Sequence, residues 1–133
     1  MQVDGLIDIL DQMNVPLVEV PADSYFLEQG QSGGTVYVLK QGIVSVIVDK
    51  NEIGQNANHG ELFGEISTLL NEPVSASIRT VTDCHLYRIN DFQKFVSFNS
   101  ELSLLFLKFM ASRIDSVSKQ LNKPDQWWQM KVW

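Results

Sequence analysis

The side chains that most often perform chemistry are few in this chain, and their spacing forms no catalytic motif. The two histidines, His59 and His85, share no motif, whereas a metal-dependent barrel enzyme brings three or more His and Glu ligands together. The single cysteine, Cys84, excludes an intrachain disulfide and a cysteine-based zinc site, and we expect it to be a small buried residue. No G-x-S-x-G pattern marks a nucleophilic serine. We therefore expect no catalytic residues, no metal site and no resident cofactor.

One residue pair has an uncommon setting. Gly64 and Glu65 begin a segment, residues 65–70, that lacks strand alternation although strand-like runs lie on both sides of it. A glycine–acid pair that opens a helix inside a barrel is rare, which favours a functional role. An acid at a helix start is also favoured by the helix dipole alone. The residue types by themselves leave both interpretations open.

The elements that would position this pair are mostly strands. Short runs with period-two alternation, separated by glycine-containing turns, predict six strands. They cover residues 17–20, 24–26, 36–39, 43–48, 76–79 and 85–89. Six or more short strands at close spacing predict a β-sandwich or barrel.

Helical periodicity flanks the predicted barrel. An amphipathic helix is predicted over residues 4–13 and ends before Pro16. After the last strand, Asn90 is the expected N-cap of a helix to about Phe98, and Ser100 that of a longer helix to about residue 121. The long helix has two apolar stripes, which predict contacts on two sides. One stripe holds Phe106, Met110, Ile114, Val117 and Leu121, and the other holds Leu102, Leu105 and Phe109.

Length and charge limit the function further. The 133 residues predict one domain, over residues 1–122, followed by a tryptophan-rich tail at 123–133. Ten basic and 16 acidic residues give a net charge of −6, which argues against direct nucleic-acid binding because that needs a positive surface. No apolar run is long enough to span a bilayer, and no signal peptide is present. We expect a cytoplasmic protein.

Two longer segments carry a resemblance to a known family. Residues 60–78, GELFGEISTLLNEPVSASI, resemble the phosphate-binding cassette of cyclic nucleotide-binding domains. Residues 29–42, QGQSGGTVYVLKQG, resemble the strand–glycine turn–strand that precedes the cassette in that family. The resemblance covers residues 6–121 and includes Phe63, Glu65 and Pro73 at the family's spacing. It implies a mainly β fold with flanking helices: a jelly-roll-like β-roll with an N-terminal helix and C-terminal helices.

The resemblance also implies a ligand and a set of site residues. The implied ligand is cyclic AMP or cyclic GMP, and a cyclic dinucleotide is a further option. In the family's arrangement, Gly64 lets backbone N–H groups approach the ligand, Glu65 accepts a hydrogen bond from the ribose 2′-hydroxyl, and Ser75 donates to the phosphate or the base. The candidate ligand-binding residues are Phe63, Gly64, Glu65, Ile66, Val74, Ser75 and Ala76.

One position departs from the family's pattern. The family has an arginine directly after the cassette proline, where it pairs with the phosphate, and this chain has Val74. Removing one partner of a buried ion pair costs about 3–5 kcal/mol, or roughly 10²–10³-fold in affinity. Arg79 is expected to point elsewhere. We therefore expect a regulatory sensor with weakened cyclic nucleotide binding, or alternatively a ligand-free module for dimerisation or protein–protein interaction.

The C-terminal region adds three expectations. The stripe of Met110, Ile114, Val117 and Leu121 is the expected homodimer contact, because the last long helix often pairs in this family. Trp127 or Trp128 could form a lid over a bound base, dock on the chain's own surface, or contact a protein partner or a membrane interface, although the net charge of −6 disfavours anionic membranes. No helix-turn-helix, kinase, channel or exchange-factor sequence follows the long helix, so direct gene regulation is not expected.

Overall fold

The computed structural model describes residues 5–120, with side chains for residues 5–112. Within that part of the chain, strands form the centre and helices lie at both ends and inside the cassette. The elements are α1 (Leu6–Gln12), β1 (Leu17–Val20), β2 (Tyr25–Leu27), β3 (Val36–Gln41), β4 (Val44–Val48), β5 (Asn51–Asn56), β6 (Leu62–Phe63), α2 (Glu65–Leu70), β7 (Ser77–Thr80), β8 (Cys84–Ile89), α3 (Phe92–Val96) and α4 (Ser100–Gln120). None of these helices is long and apolar enough to cross a membrane.

The strands form two antiparallel four-stranded sheets, ordered β1-β8-β3-β6 and β2-β7-β4-β5. This confirms the predicted mainly β fold with flanking helices. The six predicted strands are all present, each within two residues of its predicted bounds. Two strands were missed. Strand β6 has two residues, too few for a pattern, and β5 is a polar strand that pairs with β4.

The turn between β4 and β5 explains why the sequence did not predict this hairpin. Val48 pairs with Asn51, so the turn consists of Asp49 and Lys50. Both have positive φ angles, 51° and 70°, as a type I′ turn requires. Such turns usually contain glycine, and here Gln29 stabilises the turn instead. Its side-chain amide donates to Asp49 Oδ1 at 2.9 Å and accepts from the Asp49 backbone N–H at 2.8 Å.

The sheet β1-β8-β3-β6 packs against the helices on one face and against the second sheet on the other. Successive side chains of a strand point in opposite directions, so each of its strands contributes to both faces. On β8, Tyr87 and Ile89 face the helices, and Cys84 and Leu86 face the second sheet. Two apolar clusters result. The helix-side cluster contains Leu6, Leu10, Val36, Val38, Leu62, Tyr87, Ile89, Phe92, Phe95, Leu102, Phe106 and Phe109. The inter-sheet cluster contains Leu27, Leu39, Val44, Val46, Phe63, Val74, Ala76, Ile78, Cys84 and Leu86.

The starts of the last two helices differ from the prediction by one residue. Asp91, not Asn90, caps α3, since its side chain accepts from the backbone N–H three residues later at 3.1 Å. Asn99 caps α4 in the same way at 2.9 Å, so Ser100 is already helical. Neighbouring Asn, Asp and Ser side chains can all cap a helix, so packing of the following residues decides which one does. Helix α3 also ends two residues before the predicted Phe98.

Helix α4 packs on the domain with part of its apolar surface. Leu102, Phe106 and Phe109 are buried in the helix-side cluster, and Leu105 and Met110 are partly buried against it. Leu104 and Leu107 remain 52% and 66% exposed. Residues of the two predicted stripes therefore share one packed surface, and a different apolar surface faces outward. The side chains of Ile114 and Val117, and the whole of Leu121, lie outside the described part of the chain.

A polar cluster connects α1 to the first sheet. The hydroxyl of Tyr87, a residue only 1% exposed, donates to Asp11 on α1. Lys40 Nζ lies 3.7 Å from Asp11 Oδ1 and 5.5 Å from the centre of the Tyr87 ring. Burial, followed by the hydrogen bond to Asp11, raises the pKa of Tyr87. The protonated phenol is thus the form that holds the N-terminal helix in place.

Candidate functional site

The cassette folds around α2, between strands β6 and β7. Gly64 precedes α2 with a φ of 89°, a conformation that disfavours any residue with a Cβ. A Cβ at this position would also lie 2.8 Å from the carbonyl oxygen of Thr35. The predicted reason for this glycine was access for a ligand. The fold requires it for a second reason, which is the close approach of the cassette to the residue before β3.

The glycine-rich segment before β3 is hydrogen-bonded to the cassette. The Gly30 N–H donates to the Val74 carbonyl at 2.8 Å, and the Val74 N–H donates to the Gln31 carbonyl at 2.9 Å. The Gly34 N–H donates to Thr68 Oγ1 at 3.1 Å. The two sequence segments that carried the resemblance therefore form a single structural unit.

A pocket opens beside this unit and extends toward the inter-sheet cluster. We call it the cassette pocket, and its cavity volume is about 10 Å³, which is room for about one water molecule. Its lining residues are Leu27, Phe63, Gly64, Ser67, Val74, Ser75, Ala76 and Ile78. Pockets that hold small molecules usually enclose roughly 300–1,000 Å³, so the cassette pocket would have to open before it could admit a nucleotide.

The structure brings five of the seven candidate residues together around the cassette pocket: Phe63, Gly64, Val74, Ser75 and Ala76. Glu65 and Ile66 lie outside this lining. Three lining residues were not predicted, namely Leu27, Ser67 and Ile78. Leu27 and Ile78 come from paired strands, β2 and β7, and this pairing is not visible in the order of residues along the chain.

Two acidic side chains of the cassette are completely buried. Glu61 and Glu65 both have 0% exposure. For Glu65 to accept a hydrogen bond from a ribose hydroxyl, the cassette pocket would have to open toward it. Glu61 was not among the predicted site residues.

The polar groups of the pocket lining are two serine hydroxyls. Ser67 is buried, and its hydroxyl donates to the Gly64 carbonyl at 3.1 Å. Ser75 is exposed and lies at the pocket mouth. A hydroxyl has one proton and two lone pairs, so Ser67 can still accept a hydrogen bond, and Ser75 can donate or accept one.

Val74 places an apolar side chain where the resemblance expects a cation. It is 5% exposed and packs in the inter-sheet cluster. Within the described side chains, no lysine or arginine lines the cassette pocket. Arg79 points away, as predicted, because it alternates with Ile78 on β7. Its Nη1 lies 3.4 Å from Asp23 Oδ1, and its side chain lines a separate groove on the outer face of the second sheet.

The other predicted site features can be located in part. Among residues 5–112, no group of three or more His, Cys, Asp or Glu side chains is arranged to hold a metal ion. Cys84 is buried, as expected, and burial raises the pKa of its thiol. Trp127 and Trp128, the predicted lid residues, lie outside the described residues.

Comparison with known proteins agrees with the fold and the cassette. The sequence model of the cyclic nucleotide-binding domain matches residues 17–97. The chain therefore belongs to the cyclic nucleotide-binding domain family.

Named relatives include channels, regulators and an enzyme. The chain is 29% identical over 102 residues to potassium/sodium hyperpolarization-activated cyclic nucleotide-gated channel 4 of Homo sapiens, covering 75% of this chain but 8% of the channel. Thermus thermophilus catabolite activator protein has the same fold, with a TM-score of 0.73 and 20% identity over 91% of this chain and 60% of that one. An EAL enzyme in its cAMP-bound form gives a TM-score of 0.56 and 26% identity over 86% of this chain and 32% of that one.

Proposed function

We propose that this domain is a non-enzymatic regulatory sensor in which cyclic AMP and cyclic GMP bind only weakly at the cassette. The observation that carries this proposal is the buried Val74 side chain at the position of the phosphate-binding arginine. The family supports a regulatory role, since it includes a cyclic nucleotide-gated channel and a catabolite activator protein. A cytoplasmic location is part of the same proposal.

The expected weakening follows from the charges. A bound cyclic phosphate would enter a lining of apolar and small residues without a cation among the described side chains. The missing partner of a buried ion pair corresponds to about 3–5 kcal/mol, or roughly 10²–10³-fold in affinity. Two serine hydroxyls do not replace a bidentate guanidinium, because each hydroxyl has a single proton to donate and brings no positive charge to offset the phosphate.

Calorimetric titration of the wild type and of Val74→Arg tests the proposal. Cyclic AMP, cyclic GMP and cyclic di-GMP are added to each protein. We expect Val74→Arg to bind one of the two cyclic mononucleotides about 100-fold more tightly than the wild type does. Val74→Ile is the matched control, since it changes the volume of the side chain without adding charge, and it should behave like the wild type.

Two results would contradict the proposal. Tight binding by the wild type would mean that another group neutralises the phosphate. Absence of binding by a folded Val74→Arg protein would mean that the cassette pocket does not accept cyclic nucleotides at all.

A second candidate function is dimerisation through α4, because Leu104 and Leu107 present an apolar surface that the domain leaves uncovered. Residues three and seven positions after Leu104, namely Leu107 and Ala111, follow the spacing of a helix–helix seam. Met110, the first residue of the predicted dimer stripe, instead packs on the helix-side cluster. The dimer surface we propose is therefore the one centred on Leu104 and Leu107, and a lid formed by Trp127 or Trp128 stays a separate prediction.

A further inference from the structure

We infer that the dimer formed through α4 is antiparallel, with Glu101 of each copy next to the partner's Lys108. This inference rests on the second candidate function above, namely that two copies associate through Leu104 and Leu107. It goes beyond that function because it fixes the direction of the two helices and names a charged pair that sets their register.

The outward surface of α4 consists of an apolar strip with a charged edge. Leu104 and Leu107 are 52% and 66% exposed, and Ala111 is also exposed. We call these three residues the α4 seam. Glu101 and Lys108 are exposed as well, and at about 100° per residue they lie only about 20° apart around the helix, beside the same edge of the seam. They are two turns apart, too far to pair with each other within one helix.

The direction of the second helix decides what faces this charged edge. In a parallel two-fold pair, each edge of one seam faces the opposite edge of the other. That opposite edge carries Ser103 and Met110, which the domain already engages. Ser103 Oγ donates to the Val96 carbonyl at 2.8 Å, and Met110 packs against the helix-side cluster. In an antiparallel pair the same edges meet, so only this arrangement gives Glu101 and Lys108 ionic partners.

The leucines and the charges agree with one two-fold axis. The midpoint of Leu104 and Leu107 and the midpoint of Glu101 and Lys108 differ by one residue along the chain, or about 1.5 Å along the helix axis. A two-fold axis at this level places Leu104 against the partner's Leu107 and Glu101 beside the partner's Lys108. Because the symmetry makes every contact twice, the dimer gains two ion pairs.

The end of the seam also matches in the antiparallel arrangement. Ala111 is the smallest residue of the seam, and in a parallel pair it would face the partner's Ala111 with few apolar atoms in contact. In the antiparallel pair, Ala111 comes to the level at which the partner's α4 begins. Phe98 lies just before α4 and is 69% exposed, so an apolar ring is present at that level.

Charge reversal tests this arrangement, with dimerisation of the 133-residue chain measured by sedimentation over a concentration series. We expect Glu101→Lys and Lys108→Glu each to weaken dimerisation about tenfold, because each change turns two attractive contacts into repulsive ones. The double variant with both charges exchanged should return to within about threefold of the wild type. Glu19→Lys is the matched control, since it makes the same charge change at an exposed position on β1.

Cross-linking reports the direction of the helices independently. A carbodiimide joins a carboxylate to an amine in direct contact, and we expect a covalent wild-type dimer linked through Glu101 and Lys108. Ala111→Cys provides the opposite test, because the two new thiols would lie roughly 15–20 Å apart along the helix axis in the antiparallel pair. A disulfide cannot span that distance, so mild oxidation should give no covalent dimer. The native Cys84 is buried and does not interfere.

The outcomes separate this inference from the dimer itself. If charge reversal weakens the dimer, charge exchange restores it and the cross-link joins Glu101 to Lys108, both stand. If Leu107→Glu dissociates the dimer but Glu101→Lys behaves like Glu19→Lys, or if Ala111→Cys gives a disulfide-linked dimer, the antiparallel arrangement is overturned and the dimer surface survives. If the wild type is monomeric at every concentration, both fail.

Discussion

Gly64 offers a sharp test of how the cassette is held, because the chain contains two matched control glycines. Gly64 and Gly30 have the same φ of 89°, but a Cβ would meet Thr35 O at 2.8 Å at Gly64 and nothing within 4 Å at Gly30. Gly33 represents the opposite case. Its φ lies outside the positive range, and a Cβ there would lie 3.0 Å from the backbone carbon of Ser67. Alanine at each position therefore separates backbone strain from steric contact.

The magnitudes follow from these geometries. At Gly30, a left-handed alanine costs about 1–2 kcal/mol, partly offset by about 0.4–1 kcal/mol from the less flexible unfolded chain, so we expect a net loss of ~1 kcal/mol. At Gly33, overpacking against α2 costs about 1–3 kcal/mol before the same offset. At Gly64 the cost of the left-handed backbone and the cost of the contact with the Thr35 carbonyl oxygen add. The contacted atom belongs to the backbone, so no side-chain rotation relieves the contact. We expect Gly64→Ala to lose ~2–4 kcal/mol.

Urea unfolding of the wild type and the three variants, followed by circular dichroism, gives these differences directly. Amide exchange at α2 adds a local readout, since Gly64→Ala should loosen that helix more than Gly30→Ala does. If Gly64→Ala is no less stable than Gly30→Ala, the segment before β3 can move away from the cassette freely. The close approach of Thr35 to Gly64 would then not be what positions the cassette.

Three further predictions concern other parts of the fold. Tyr87→Phe should lose ~2 kcal/mol in urea unfolding at neutral pH, because a hydrogen bond to the carboxylate of Asp11 is removed. Since the folded pKa of Tyr87 is raised, the wild type should lose stability as pH rises above about 10, and an equal loss in Tyr87→Phe would contradict this assignment. The Ser45 hydroxyl, which donates to Glu52, lowers the pKa of that carboxyl below its ordinary value of 4.5. The hydrogen bond therefore stabilises the fold above pH 4.5, and this contribution is lost as the pH falls. Ser45→Ala should make the free energy of unfolding fall less steeply with decreasing pH, and an unchanged slope would contradict the role of this hydrogen bond. Leu107→Glu should reduce self-association in sedimentation velocity runs and leave the circular dichroism spectrum of the folded chain unchanged, whereas a monomeric wild type would refute the dimer surface.

Local patterns predicted much of the fold, and the exceptions have identifiable causes. The strands around Val36 and Leu86 were predicted because their runs alternate with period two and are separated by glycine-containing turns. Strand β5 was missed because it is polar and derives its conformation from pairing with β4. The cap of α3 was assigned to Asn90 instead of Asp91 because two adjacent residues have nearly equal capping ability.

The sequence by itself determined the family, the β-roll, the position of the cassette and the absence of its arginine, because these depend on residues close together in the chain. Tertiary structure alone decided which side chains line the pocket. Leu27 and Ile78 meet there through strand pairing, and Glu65 lies outside the lining although Gly64 lies within it. It also decided that Leu107 faces outward. The physical reason is that a side chain's direction depends on the register and packing of its whole element, which distant parts of the chain impose.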